Sequence, residues 1–95
     1  MNILQAVVRT LRQPDGIYRL PNGNRIEPAI SPRNQPVWLV TFNHGDGDWW
    51  LSRDLTWTRA RGWDMHKDWS RDHGYATPEE AYFAWLNWVD GLEEG

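Results

Sequence analysis

Eight tryptophans, at positions 38, 49, 50, 57, 63, 69, 85 and 88, stand in a chain of only 95 residues. An indole buries a large apolar area and carries one N–H that needs an acceptor once it leaves water. A chain of this length hides only about 60–65% of the surface its unfolded form exposes. One small interior cannot enclose eight such rings. The fold must supply broad apolar surfaces on which rings lie part-covered, and some rings are expected outside as anchors for a partner.

The strongest local signal is C-terminal. Thr77-Pro78-Glu79-Glu80 places a hydroxyl at the N-cap, a proline at the first helical position and a glutamate at the third. Ala81, Tyr82, Trp85, Trp88, Val89 and Leu92 then recur at helical spacing and predict one buried stripe. Gly91 is expected to stop the helix. Phe83 falls on the other side with Glu80, Asn87 and Asp90, which makes it a candidate contact residue. At the N-terminus, Ile3, Leu4, Val7, Val8 and Leu11 predict a short helix over residues 2–12, ended by Pro14-Asp15-Gly16.

Between these ends the pattern alternates. GIYRLPNGNRIEPAI predicts a hairpin with arms Ile17–Leu20 and Arg25–Ile30, turned at Asn22-Gly23. Pro28 is expected to shorten the second arm or push it to a sheet edge. VWLVTF, residues 37–42, is apolar on both faces, so both are covered or one is kept for a partner. WWLSRD predicts the next strand, with Trp49 and Trp50 on opposite faces. LTWTRARGW, residues 55–63, predicts another, with Leu55, Trp57 and Arg59 on one side. Residues 64–74 predict an irregular loop with one helical turn. The sum is an α+β fold in a single compact domain over residues 1–95: a twisted antiparallel sheet of three to five strands, a C-terminal helix packed on one face, and a short N-terminal helix.

Candidate chemistry is sparse. In HGDGDWW, residues 44–50, Asp46 and Asp48 alternate as calcium ligands do, but Trp50 stands where a third oxygen would belong. The stretch reads as a turn whose aspartates cap backbone amides. His66, Asp68, Asp72 and His73 have no spacing that puts ligands on one face. Ser31, Ser52 and Ser70 lack the glycine-flanked setting of an elbow nucleophile. With no cysteine there is neither disulfide nor thiolate nucleophile. No phosphate-cradling glycine loop occurs. The expectation is a non-enzyme without metal or cofactor.

Charge is uneven. Residues 1–45 hold five arginines against Asp15 and Glu27, a local net of +3, and residues 46–95 carry a local net of −6. The reading is a protein-binding module with an aromatic and acidic surface made by Trp38, Asp46, Asp48, Trp49, Trp50, Trp57, Asp64, Trp69 and Phe83. Its expected partner is another protein, one with a basic groove that Asp46, Asp48, Asp54, Asp64, Asp68 and Asp72 enter in place of phosphate. Small acidic inhibitors of host nucleic-acid-guided defence, made by phages and mobile elements, have this character. The alternative is a nucleic-acid-binding sheet using Arg9, Arg12, Arg19, Arg25 and Arg33 with the tryptophans. GYATPEEAYFAW, together with the strands before it, resembles the arm-binding domains of phage integrases over residues 37–88. That resemblance implies three strands and a helix that bind DNA, but the sheet segment here is not basic. No apolar run approaches the ~20 residues of a membrane span. MNILQAVVRTLRQ has no signal-peptide pattern, so a cytoplasmic location is expected.

Overall fold

The structure, a computed structural model, describes residues 3–44, 47–59 and 69–94. Helix α1 (Ile3–Leu11) leads to strand β1 (Tyr18–Arg19), a 3-10 turn (Pro21–Gly23) and strand β2 (Asn24–Ile30). Strands β3 (Pro36–His44), β4 (Gly47–Leu51) and β5 (Trp57–Arg59) follow, then the short helix α2 (Ser70–His73) and the long helix α3 (Pro78–Glu94). The strands form one antiparallel sheet in the order β1-β2-β3-β4-β5. This is the expected α+β architecture, with five strands and a helix at each end. Among the described residues no helix is long and apolar enough to cross a membrane.

Cross-strand register assigns the two faces. Tyr18 opposes Ile26, which opposes Val40; Asn24 opposes Phe42, which opposes Trp49; Leu51 opposes Trp57. All of these share one face, because strand side chains alternate. Helix α3 lies on it. Ala81 and Ala84 are small enough to let its backbone come close, and both are buried with Trp85 against Ile26, Val40 and Leu51. Val8 of α1 enters the same core, with Leu11 packed beside it. Trp85 fastens helix to sheet: its Nε1–H donates to Asn24 Oδ1 at 3.0 Å in the buried interior. Removing the acceptor would strand that donor, at about 1–3 kcal/mol.

The other face carries Leu39, Thr41 and Trp50. Trp69, which leads into α2, packs on Trp50 with ring centroids 5.1 Å apart, and His73 meets Trp50 edge-on at 5.9 Å. The chain then rounds the edge of β3 to reach the helix-covered face. Tyr75 and Trp38 exchange both backbone hydrogen bonds, 2.8 and 2.9 Å, beyond the point where β4 has ended. This explains Pro28. It opposes Trp38 in the register, and Trp38 spends its N–H and C=O on Tyr75, so the pair has no ladder bond for a proline to break. On its other side β1 is already over. Pro28 therefore sits inside β2, which occupies the second place in the sheet and not an edge. Gly74 is required by contact: a Cβ there would lie 2.8 Å from the Ser70 carbonyl oxygen.

Three expectations are corrected. Gly91 does not stop α3, which continues to Glu94. Leu92 is 61% exposed, so the covered stripe ends at Val89. The strand expected from Leu55 begins at Trp57, because Leu55 belongs to a turn with φ +66°. At the helix start Thr77 Oγ1 accepts the Glu80 N–H at 3.1 Å, as expected of the N-cap, whereas Glu80 Oε2 reaches one residue past the cap, to the Ala76 N–H at 3.2 Å.

Candidate functional site

Two turns in the sheet are built alike. In one, the Ser31 N–H donates to Gln35 O and the Asn34 N–H to Ser31 O, both at 2.8 Å. In the other, the Ser52 N–H donates to Thr56 O at 2.8 Å and the Leu55 N–H to Ser52 O at 3.0 Å. Each is a three-residue hairpin loop whose last member adopts the left-handed region. Asn34 has φ +60° and Leu55 φ +66°. Asparagine tolerates that conformation, whereas a leucine there is strained by about 1–2 kcal/mol.

Asp54 holds the strained turn. Its Oδ1 accepts the Ser52 hydroxyl, the Thr56 hydroxyl at 2.6 Å and the Thr56 N–H at 3.2 Å. The Ser52 hydroxyl, followed by the Thr56 hydroxyl, holds its pKa below the ordinary aspartate value. The strain directs Leu55 into a groove of about 550 Å³ between this turn and the first half of α3. Tyr75 and Ala84 also line it, Arg53, Glu79 and Glu80 stand around it, and Phe83 is 56% exposed within it. Arg53 is fixed by two bonds to the Gly74 carbonyl, 2.7 and 3.2 Å, and lies 5.8 Å over the Tyr75 ring. The Tyr75 hydroxyl donates to Ser52 O at 3.2 Å, and burial raises its pKa.

A second hollow, of about 460 Å³, is lined by Asn24, Phe42, Trp49, Trp57 and Trp88. Trp57 meets Trp88 edge-on at 5.3 Å and Phe42 at 6.0 Å. A third, polar cleft brings Asp54, Asp72 and His73 together with Arg53, Thr56 and Thr58. His73 Nδ1 lies 3.2 Å from the Trp69 carbonyl oxygen, and Asp54 is committed to its turn. Among the described residues no group of three or more His, Asp or Glu is placed to hold a metal ion.

Of the nine residues expected at a partner surface, the seven described do not share one face. Asp46 and Asp64 lie outside the described residues. Trp38 packs on Tyr18 at 5.5 Å beside the core, and Trp49 and Trp57 line the aromatic hollow. Trp50 and Trp69 cover each other on the opposite face. Asp48 accepts the Asn43 side-chain N–H across the strand pair at 2.8 Å. Of the seven tryptophans described, Trp85 is buried and the other six are half-buried, so none stands fully exposed. Among the described residues the exposed aromatic ring is Phe83. Sequence reasoning missed Leu55, Tyr75 and Arg53 in the groove and Asn24 in the hollow. The only signal for Leu55 was the Ser-x-x-x-polar spacing it shares with the Asn34 turn.

No protein-family model, curated protein or solved structure matches this chain.

Proposed function

We propose that this chain is a non-catalytic protein-binding module that takes an apolar anchor of its partner between Phe83 and Leu55. One observation carries the reading: the most exposed ring of the described residues lies in the same groove as a leucine held in a strained conformation. A strained residue persists where its surroundings over-determine it, and such residues cluster at sites of function. Glu79 and Glu80 beside the groove, with Asp54 and Asp72 in the neighbouring cleft, favour a partner with basic residues around its anchor. An inhibitor that occupies a basic groove would need the same chemistry. The nucleic-acid alternative has less support. Arg19 and Arg25 pair with Asp15 and Glu27, and the sheet face holding Trp38, Trp49 and Trp57 lies under α3.

The magnitude can be worked from exposure. A phenylalanine that is 56% exposed leaves roughly 110 Å² to be covered, worth about 2.5–3 kcal/mol at 25 cal/mol per Å². Phe83→Ala should therefore weaken partner binding roughly 100-fold while changing stability by under about 0.5 kcal/mol. The test is selection from a random-peptide library on the wild type, with counter-selection on Phe83→Ala. Enriched peptides should combine one large apolar residue with flanking Lys or Arg. Equal enrichment on both chains, or acidic peptides, would reject the reading.

A further inference from the structure

The Phe83 groove continues past its own rim. Glu79 lines it and also lines a polar cleft of about 480 Å³, where Gln5, Val8, Arg9, Arg12 and Tyr18 meet the start of α3. Val8 and Tyr18 are buried, so the apolar part of this cleft is fixed by the core. Arg9 stands in the last turn of α1, and the Arg12 N–H donates to the Arg9 carbonyl at 3.4 Å, which carries the turn just past the helix. Side chains three positions apart on such a turn are neighbours. Both arginines are exposed. Among the described residues neither arginine nor Glu79 takes part in an ion pair or a side-chain hydrogen bond.

The balance of charge changes sign at Glu79. On the groove side Glu79 and Glu80 outnumber Arg53, which is held by the Gly74 carbonyl. On the cleft side Arg9 and Arg12 outnumber Glu79. Opposite charges thus line one cleft without pairing. A ligand that brings a cation to Glu79 and a carboxylate to the two guanidinium forks satisfies both sets, and carboxylates match such forks in geometry as well as charge. A nucleic-acid strand would instead lay phosphates against Glu79 and Glu80, so the arrangement favours a peptide. Spacing follows from the helix. Phe83 and Glu79 are one turn apart, about 6 Å. A cleft of this volume adds about 8 Å, so an extended chain at ~3.3 Å per residue covers the whole path in about four or five positions.

We propose, resting on the groove reading above, that the partner segment lies extended along α3 in a fixed order. Its apolar residue sits between Phe83 and Leu55, a Lys or Arg follows at Glu79, and an Asp or Glu side chain ends between Arg9 and Arg12.

The test is selection from random peptides displayed internally, so that no free C-terminal carboxylate is offered, followed by calorimetric titration of the best peptide. Wild-type selection should place one acidic residue at that separation from the apolar residue, with Lys or Arg between them. Arg9→Gln with Arg12→Gln should weaken the best peptide about tenfold or more. Arg9→Glu with Arg12→Glu should select Lys or Arg at the acidic position and leave the apolar preference intact. Should the glutamate pair not fold, the glutamine pair decides alone. Enrichment of apolar and basic residues with no fixed acidic position overturns this inference and leaves the groove standing, as does equal affinity for the wild type and the glutamine pair. Loss of the apolar preference on the wild type overturns both. A single-stranded DNA oligonucleotide that binds the wild type and not the glutamine pair also overturns the peptide assignment of the cleft.

Discussion

The paired turns allow the strain at Leu55 to be measured inside one molecule. Asn34 and Leu55 occupy the same position of the same turn, at φ +60° and +66°. Asn34 is exposed, so Asn34→Leu adds left-handed strain without compensating packing. It should destabilise by about 1 kcal/mol, which lowers the melting temperature of a domain this size by about 4–8 °C. Leu55→Asn runs the other way. Full burial of a leucine is worth about 1.5–3 kcal/mol, and Leu55 is half-buried, so about 1 kcal/mol of packing is lost. Relief of the strain returns a similar amount. The net change should lie within about 0.5 kcal/mol, far below the ~2–5 kcal/mol of an ordinary buried leucine truncated to alanine. Urea denaturation followed by tryptophan fluorescence reads both variants. A loss above about 2 kcal/mol for Leu55→Asn would mean that Leu55 is ordinary core and the groove stores no strain. A neutral Asn34→Leu would refute the strain itself. If the reasoning holds, Leu55→Asn loses partner binding at nearly unchanged stability.

Three further perturbations test the surroundings. Asp54 has its pKa held below the ordinary ~3.9 by the Ser52 and Thr56 hydroxyls. The stability it contributes is therefore present above that value and lost as pH falls through the lower folded value. Asp54→Asn should flatten the acid limb of stability below about pH 4, and an unchanged slope would show that the turn does not depend on this charge. Tyr75 behaves oppositely. Burial raises its pKa, so its stabilisation is intact below the ordinary phenol value near 10 and is lost as pH rises through the folded value. Ultraviolet titration should show a late phenol ionisation that Tyr75→Phe removes. Gly91→Ala should stabilise α3 by about 0.5–1 kcal/mol, since the added Cβ meets nothing within 4 Å and the backbone there is helical. Destabilisation would return Gly91 to the role of a helix stop.

The elements legible in the sequence are those signalled by local chemistry. The Thr77-Pro78-Glu79-Glu80 box announces α3; Thr77 caps it, and Glu80 accepts the Ala76 N–H just before the cap. The alternation of residues 37–42 announces β3, and its two apolar faces are both covered. Where reading failed, distant partners decided. Pro28 looked like an edge residue because only Tyr75, 47 positions further on, reveals that Trp38 needs nothing from it. Gly91 looked like a stop because glycine permits a left-handed cap; permission is not requirement, and the helix continues. Leu55 looked like a strand residue because it alternates with Trp57 and Arg59. The Ser52, Asp54 and Thr56 side chains bind one another instead and turn the chain before the strand begins.

The aromatic count posed the right problem, and the described indoles answer it by pairing. Too many indoles for one interior does not require exposed indoles, because rings can cover rings. Trp57 lies edge-on to Trp88, Trp38 pairs with Tyr18, and Trp50 pairs with Trp69, all with centroids between 5.1 and 5.5 Å. Such pairs add about 0.5–1.5 kcal/mol beyond the area they bury, so half-burial in pairs is a stable compromise. Exposure then falls to a residue outside the pairing. Phe83 is turned away from the sheet by the helical period, toward a groove that Leu55 completes from a turn held by Ser52, Asp54 and Thr56. The candidate binding surface thus follows from the polar residues of that turn, and the tryptophans supply the rigid boundary on which it stands.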